Sequence, residues 1–224
     1  MTISLVTFDW LPDFPRGFVR DMRVRWALEE LGRRYRVETV PSHPRSAAHL
    51  GIQPFGQVPA IREGDLSLFE TGAILMHLSE GSDLLPPDHR PIVTQWLFTA
   101  LNTIEPASGH WLSMVLAGRL PDFFGPAPDA AVTGFARNSL EARLASLEQV
   151  IAGRDWLVGD FTVADIAMID VLRVIAAEGG LQGHPTLDAY VQRGTARPAF
   201  AKAMADHMAH WQAADATRAV LSPA

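Results

Sequence analysis

The chain contains no cysteine. That absence excludes disulfides, thiolate metal ligands, a cysteine nucleophile and CxxC redox chemistry. Any thiol chemistry here must use a thiol that arrives with a ligand. Tyrosine is scarce too, with only Tyr35 and Tyr190. Positive charge is in deficit: 19 Lys and Arg stand against 25 Asp and Glu, a formal net charge of -6. A nucleic-acid binder carries a dense basic patch, and the one Arg-rich run is Arg16–Arg25, so nucleic acid is not the expected partner. An anionic membrane surface is disfavoured for the same reason. No apolar run is long enough to span a bilayer. The best, Ile166–Ala177, is interrupted by Asp170 and Arg173 and falls short of the roughly 20 residues required. The first residues lack the basic start and apolar core of a signal peptide, so a cytoplasmic location is expected. No GxSxG elbow, P-loop or GxGxxG is present.

What is there is an ordinary globular composition. The 224 residues are 48% hydrophobic and 20% charged, enough to bury one large core or two small ones. Residues 3–8 read as a strand. Asp9–Gly17, with Pro12, Pro15 and Gly17, reads as a loop. Val19–Leu31 has helical apolar spacing, with Gly32 at the expected C-cap. Tyr35–Val40 reads as a second strand, and Pro41–Gly51 as a loop with a short helix. Val58–Arg62 and Leu66–Phe69 flank the turn Glu63-Gly64-Asp65, a hairpin. Thr71–Ser79 reads as a helix. The order β-α-β-α-β-β-α makes an α/β unit over residues 1–80. Residues 81–90, with Gly81, Pro86 and Pro87, read as a linker. Residues 91–224 read as an all-helical domain, with helices near 91–117, 128–152, 162–177, 185–194 and 198–212.

Three motifs sit on this frame: Gln53-Pro54-Phe55-Gly56-Gln57-Val58-Pro59-Ala60-Ile61, Phe69-Glu70-Thr71-Gly72-Ala73-Ile74, and Trp156-Leu157-Val158-Gly159-Asp160-Phe161-Thr162-Val163-Ala164-Asp165. With the ending Ala196-Arg197-Pro198-Ala199-Phe200, and in this order, they make the chain resemble the cytosolic glutathione transferases, bacterial type, over nearly its whole length. The resemblance implies a thioredoxin-like N-terminal domain that binds glutathione, an all-helical C-terminal domain, and a homodimer. It implies an enzyme of detoxification that transfers the glutathione thiol to a small hydrophobic electrophile, without a metal. It further implies a cis bond before Pro59, leaving the Val58 backbone to pair with the glutathione cysteinyl unit like an added strand. By itself Pro59 reads equally as a loop proline. Glu70 and Thr71 open a helix whose amides and dipole suit the γ-glutamyl carboxylate, with Glu70 taking the ligand's ammonium. The same pair also reads as plain capping, Thr71 as the cap. Gln57 resembles the position that contacts the glycyl carboxylate or the neighbouring backbone. Arg45 and His49, on the preceding helix, are read as solvated, with help to that carboxylate as the alternative. Thr162 and Asp165 form a capping box, which serves folding.

The chain departs from the family at the thiol. Members use a Tyr near the end of strand one, or a Ser or Cys before helix one; here those positions hold Phe8 and the Gly17–Phe18 region, and no catalytic residue is evident. Arg16 and Arg20 stand where cations oppose the helix dipole. Arg16 is the candidate for favouring a thiolate or binding an anionic substrate; the alternative pairs both arginines with Asp13 and Asp21. Trp10 either walls the substrate pocket or packs under the loop. Phe18, His110, Trp111 and Met114 are further pocket candidates, with core packing as the alternative for those on the long helix. His207 and His210, without a convergent ligand, read as two solvent-facing histidines rather than a metal site. The functional alternative to a transferase is a non-catalytic binding or assembly module that keeps the fold.

Overall fold

The computed structural model describes residues 2–221. Contacts divide the chain into two compact units, residues up to Ser82 together with Ala196 onward, and Asp83–Thr195. The first unit is thioredoxin-like. Its strands are β1 (Ile3–Phe8), β2 (Tyr35–Val40), β3 (Ala60–Glu63) and β4 (Leu66–Phe69), and its helices are α1 (Asp21–Glu30), α2 (Ala47–Ile52) and α3 (Thr71–Ser79). The sheet order is β2-β1-β3-β4. β1 is parallel to β2 and antiparallel to β3, and β3 is antiparallel to β4.

Alternation along β1 sends Ile3 and Leu5 to one face. There they meet Val24 and Leu28 of α1, Ile61 of β3, and Ile74 and Leu78 of α3 in one buried cluster. α1 ends at Gly32 with φ 61. The Gly32 N–H bonds the Glu29 carbonyl and the Arg33 N–H the Leu28 carbonyl, the paired closure that a left-handed residue after a helix permits.

α1 differs from its sequence reading. Asp21, Arg23 and Arg25 are as buried as its apolar positions. The cause is the last helix, α10 (Pro198–Leu221), which runs well beyond the expected 212 and packs on α1. The sequence places this segment in the helical domain; by contacts it lies with the sheet. Arg197 reaches both Glu30 oxygens at 2.6 and 2.8 Å, and the Trp26 indole N–H donates to Glu30 at 2.9 Å.

The second unit is all-helical among the described residues: α4 (Arg90–Thr99), α5 (Glu105–Ala117), the short α6 (Pro121–Phe124), α7 (Ala130–Ile151), α8 (Val163–Ala177) and α9 (Pro185–Thr195). The single helix expected over 91–117 is interrupted by a π turn at Ala100–Ile104. Pro106 follows it and has no N–H to give the turn before it, so the ladder shifts there. α8 is buried over its first ten residues, Val163–Leu172. Thr162 and Asp165 form the expected capping box. The Asp165 carboxylate also accepts from the Leu157 N–H at 2.9 Å and the Tyr190 hydroxyl at 2.7 Å. No described helix is long and apolar enough to cross a membrane.

Candidate functional site

The strand register defines one end of the sheet. Val6 lies opposite Ala60, and Ala60 opposite Phe69. At this end the chain therefore leaves β1 at Phe8, enters β3 through Val58–Pro59, and leaves β4 into Glu70. Gln57, Val58, Pro59, Glu70 and Thr71 come together there. Tyr35 pairs with Ile3 at the opposite end, and Tyr190 is in the helical unit bonded to Asp165. Within the sheet unit, then, no tyrosine stands at this edge.

The Val58–Pro59 bond is cis. Its approach is built by three residues whose roles the sequence reading did not assign. The Gln53 side-chain oxygen accepts from the Phe55 N–H at 2.7 Å and the Gln57 N–H at 3.1 Å. The His49 ring donates from Nε2 to the Gln57 carbonyl at 2.9 Å. Ser46 caps α2 by accepting from the His49 N–H. His49 is fully buried, so its solvated reading is corrected: the turn needs a donor for the Gln57 carbonyl, and His49 supplies it from one turn into α2. Arg45 bonds the Gly56 carbonyl at 2.5 Å. Gly56 has φ 61, a conformation that favours glycine, and a Cβ there would also displace the exposed Arg45 side chain from its bond to the Gly56 carbonyl. Gln57 itself projects to solvent and Val58 is partly exposed.

At α3 the N-cap is Glu70, not Thr71, and no side chain caps the helix. Glu70 has φ 69 and ψ 117, the one non-glycine positive φ among the described residues. L residues reach this region only at a cost, and such residues persist where the surroundings impose them. Its carbonyl accepts the first helical bond from Ile74 N at 2.9 Å. Its carboxylate is exposed, while Thr71 is buried beneath. The arrangement leaves the first amides of a nine-residue helix without a side-chain cap, beside one exposed carboxylate.

Arg16 is placed differently from its expectation. Its Nε and Nη2 donate to the Leu11 carbonyl, and Nη1 and Nη2 grip Asp215 at 2.6 and 2.7 Å. Nη1 is also 3.0 Å from Asp13. All five N–H groups of the guanidinium are thus engaged within the unit. The acid at Asp21 belongs to Arg25 instead, at 2.8 Å. Asp215 hydrogen-bonds and attracts Arg16, which raises the guanidinium's affinity for its proton. Phe18 sits half-buried in the turn before α1.

In the helical unit His110 is exposed, Met114 half-buried and Trp111 buried. Trp111 packs as core, with the Arg137 guanidinium 5.2 Å from its ring centre and Gly180 against its edge. The reading of His207 and His210 as solvent-facing is overturned for His207, while His210 is partly exposed. His207 is fully buried, because α10 lies on α1 and its ring faces Asp21 at 3.4 Å. The Trp211 indole N–H donates to His207 Nε2 at 3.1 Å, and His210 donates to the Phe8 carbonyl at 2.9 Å. No group of three or more metal-ligating side chains gathers among the described residues.

The chain thus combines a thioredoxin-like unit, in which an uncapped helix start and a cis-proline turn share one end of the sheet, with an all-helical unit. The family model described as "Glutathione S-transferase, N-terminal domain" matches residues 15–80 and that for the C-terminal domain residues 110–198. "Glutathione S-transferase 3" of Zea mays is 33% identical over 200 residues, covering 82% of this chain and 88% of its own. Among solved structures, a glutathione transferase of Burkholderia graminis with two glutathione molecules per subunit aligns with TM-score 0.74 at 25% identity, over 91% of this chain and 87% of that one. A family member from Pseudomonas fluorescens with two glutathione bound aligns with TM-score 0.73 at 26% identity, over 91% and 92%. The chain belongs to the glutathione S-transferase family.

Proposed function

We propose that the chain is a glutathione transferase that binds glutathione at the sheet end formed by Val58–Pro59 and Glu70–Thr71 and passes its thiol to a small apolar electrophile. The observation that carries the reading is the α3 N-terminus without a side-chain cap. Its amides are left for the γ-glutamyl carboxylate, and the Glu70 carboxylate for the ammonium. The Val58 backbone supplies strand-like pairing to the cysteinyl unit, and Gln57 reaches the glycyl end. The named activity of the Zea mays relative and the glutathione in the Burkholderia and Pseudomonas structures support it. In this reading residues 1–80 are the glutathione-binding domain and the protein is cytoplasmic and serves detoxification. The chain is read as a homodimer on its likeness to the family. A monomer-sized species in light scattering at micromolar protein would remove that part.

The test is isothermal titration calorimetry with glutathione on the wild type and on Glu70→Ala/Thr71→Ala. Saturable binding lost in the double variant establishes the site. No binding at millimolar glutathione sinks the transferase reading. The second reading, a non-catalytic module of the same fold, is favoured by one observation: Arg16 has no N–H left for a thiolate. Glutathione bound without turnover of any electrophile would select it.

A further inference from the structure

The loop between β1 and α1 is held by one stripe of the last helix. Trp211, Asp215 and Arg218 are spaced i, i+4 and i+7 on α10, and so share a face. Asp215 accepts from the Trp10 indole N–H at 2.8 Å and from both Arg16 Nη atoms. The Arg16 guanidinium carbon lies 5.7 Å from the Trp10 ring centre and 5.9 Å from that of Trp211. Arg218 covers Trp10 at 4.1 Å. Two indole rings and two guanidinium groups are thus gathered within cation–ring distance, Arg16 near both rings and Arg218 over Trp10, with Asp215 tying Trp10 and Arg16 together. One turn back, His210 holds the Phe8 carbonyl, and the space over Gly17 is bounded by the Met208 sulfur at 3.8 Å. By the register above, the chain leaving Phe8 passes the Val58–Pro59 turn, so this loop begins at the sheet end where the glutathione cysteinyl unit is placed.

We propose that Asp215 is a positioning residue that, through Arg16 and Trp10, fixes Trp10 as a wall beside the glutathione sulfur and so sets which sulfur substituents the site accepts. The proposal rests on the glutathione reading above. The carboxylate has two jobs that a neutral side chain cannot share: a bidentate grip on a guanidinium and an acceptor for an indole N–H. Asp215 is half exposed, so its removal releases the loop without opening the core. A released Trp10 loses the edge bond that fixes its ring plane, and a wall of uncertain position gives no packing to an apolar group on sulfur.

Glutathione and S-hexylglutathione are titrated calorimetrically into wild type, Asp215→Ala and Asp215→Glu, and amide exchange is followed across the loop. In the wild type the hexyl chain strengthens binding at least about tenfold, a fraction of what burying its methylenes can supply. In Asp215→Ala glutathione binds within about twofold of wild type, most of the hexyl advantage is lost, and loop amides exchange about tenfold faster. Asp215→Glu, which keeps the carboxylate, restores both. A hexyl advantage unchanged in Asp215→Ala overturns the proposal, and so does an equal weakening of both ligands, which would make Asp215 a prop of the fold. If the wild type binds neither ligand, the glutathione reading fails and this proposal with it. Loop exchange, which needs no ligand, then tells whether the strap itself exists.

Discussion

Two helices of this chain begin in opposite ways. At α8 the start is closed: Thr162 caps, the Asp165 carboxylate answers the Thr162 N–H at 2.8 Å, and the same carboxylate takes the Leu157 N–H and the Tyr190 hydroxyl. Every group is buried. At α3 the start is open: Glu70 sits at the cap with φ 69, offers no capping bond, and turns its carboxylate to solvent. The first arrangement satisfies the orphan amides from within and so stabilises the helical unit. The second leaves them for something else. One fold thus closes one helix start completely from within and leaves another uncapped behind a residue of strained backbone.

Substitution at each start separates the two roles. Asp165→Ala leaves two buried hydroxyls and two amides without this acceptor, and should cost about 3 kcal/mol. A thermal melt lowered by only a degree or two would show that the cap closes by another route. Glu70→Gly should do the reverse at α3. It relieves a backbone that glycine adopts freely, so stability rises by about 1 kcal/mol, while glutathione, losing its ammonium partner, binds more weakly. A Glu70→Gly protein that is less stable than wild type would mean that the carboxylate holds the fold rather than awaiting a ligand.

The smallest effect concerns a third carboxylate. Hydrogen bonds from Arg16 and Trp10 hold Asp215 down at about 2, from the usual 3.8. A carboxylate depressed in the folded state contributes fully above its unfolded value and loses that contribution as pH falls toward its folded one. The strap should therefore be indifferent to pH between about 8 and 4, and release only between about 4 and 2. Loop amide exchange or indole fluorescence that changed between pH 7 and 5 would assign the strap to another group.

Much of this was legible in the sequence. The strands β1, β2 and β4 and the helix α3 fall where alternation and periodicity put them, because those patterns are set by residues close in sequence. The Gln-Pro-Phe-Gly-Gln-Val-Pro run marked the turn into β3, and Thr162-x-x-Asp165 its capping box, since both are made of residues close in sequence. What stayed hidden is what depends on partners far along the chain. His49 looked solvated until its Gln57 contact was in place. Arg16, read as a free cation near a thiol, is bonded to a residue 199 positions away. Trp211, Asp215 and Arg218 do share a helical stripe in the sequence, but nothing local says what that stripe faces.

The sequence by itself determined the two-part architecture, the turn before Pro59, the charged residue at the head of α3 and the lack of any thiol of the protein's own. Local conformational preference and apolar periodicity are properties of short segments, and they carry that information wherever the segment lies. Only the tertiary structure decided that α10 returns to the sheet unit. By covering α1 it buried Asp21, Arg25 and His207 and turned Arg16 from a candidate reagent into a structural tie. Charge pairing and burial are set by which surfaces meet, and for these two helices, the first and last of the chain, the sequence separation is nearly its full length.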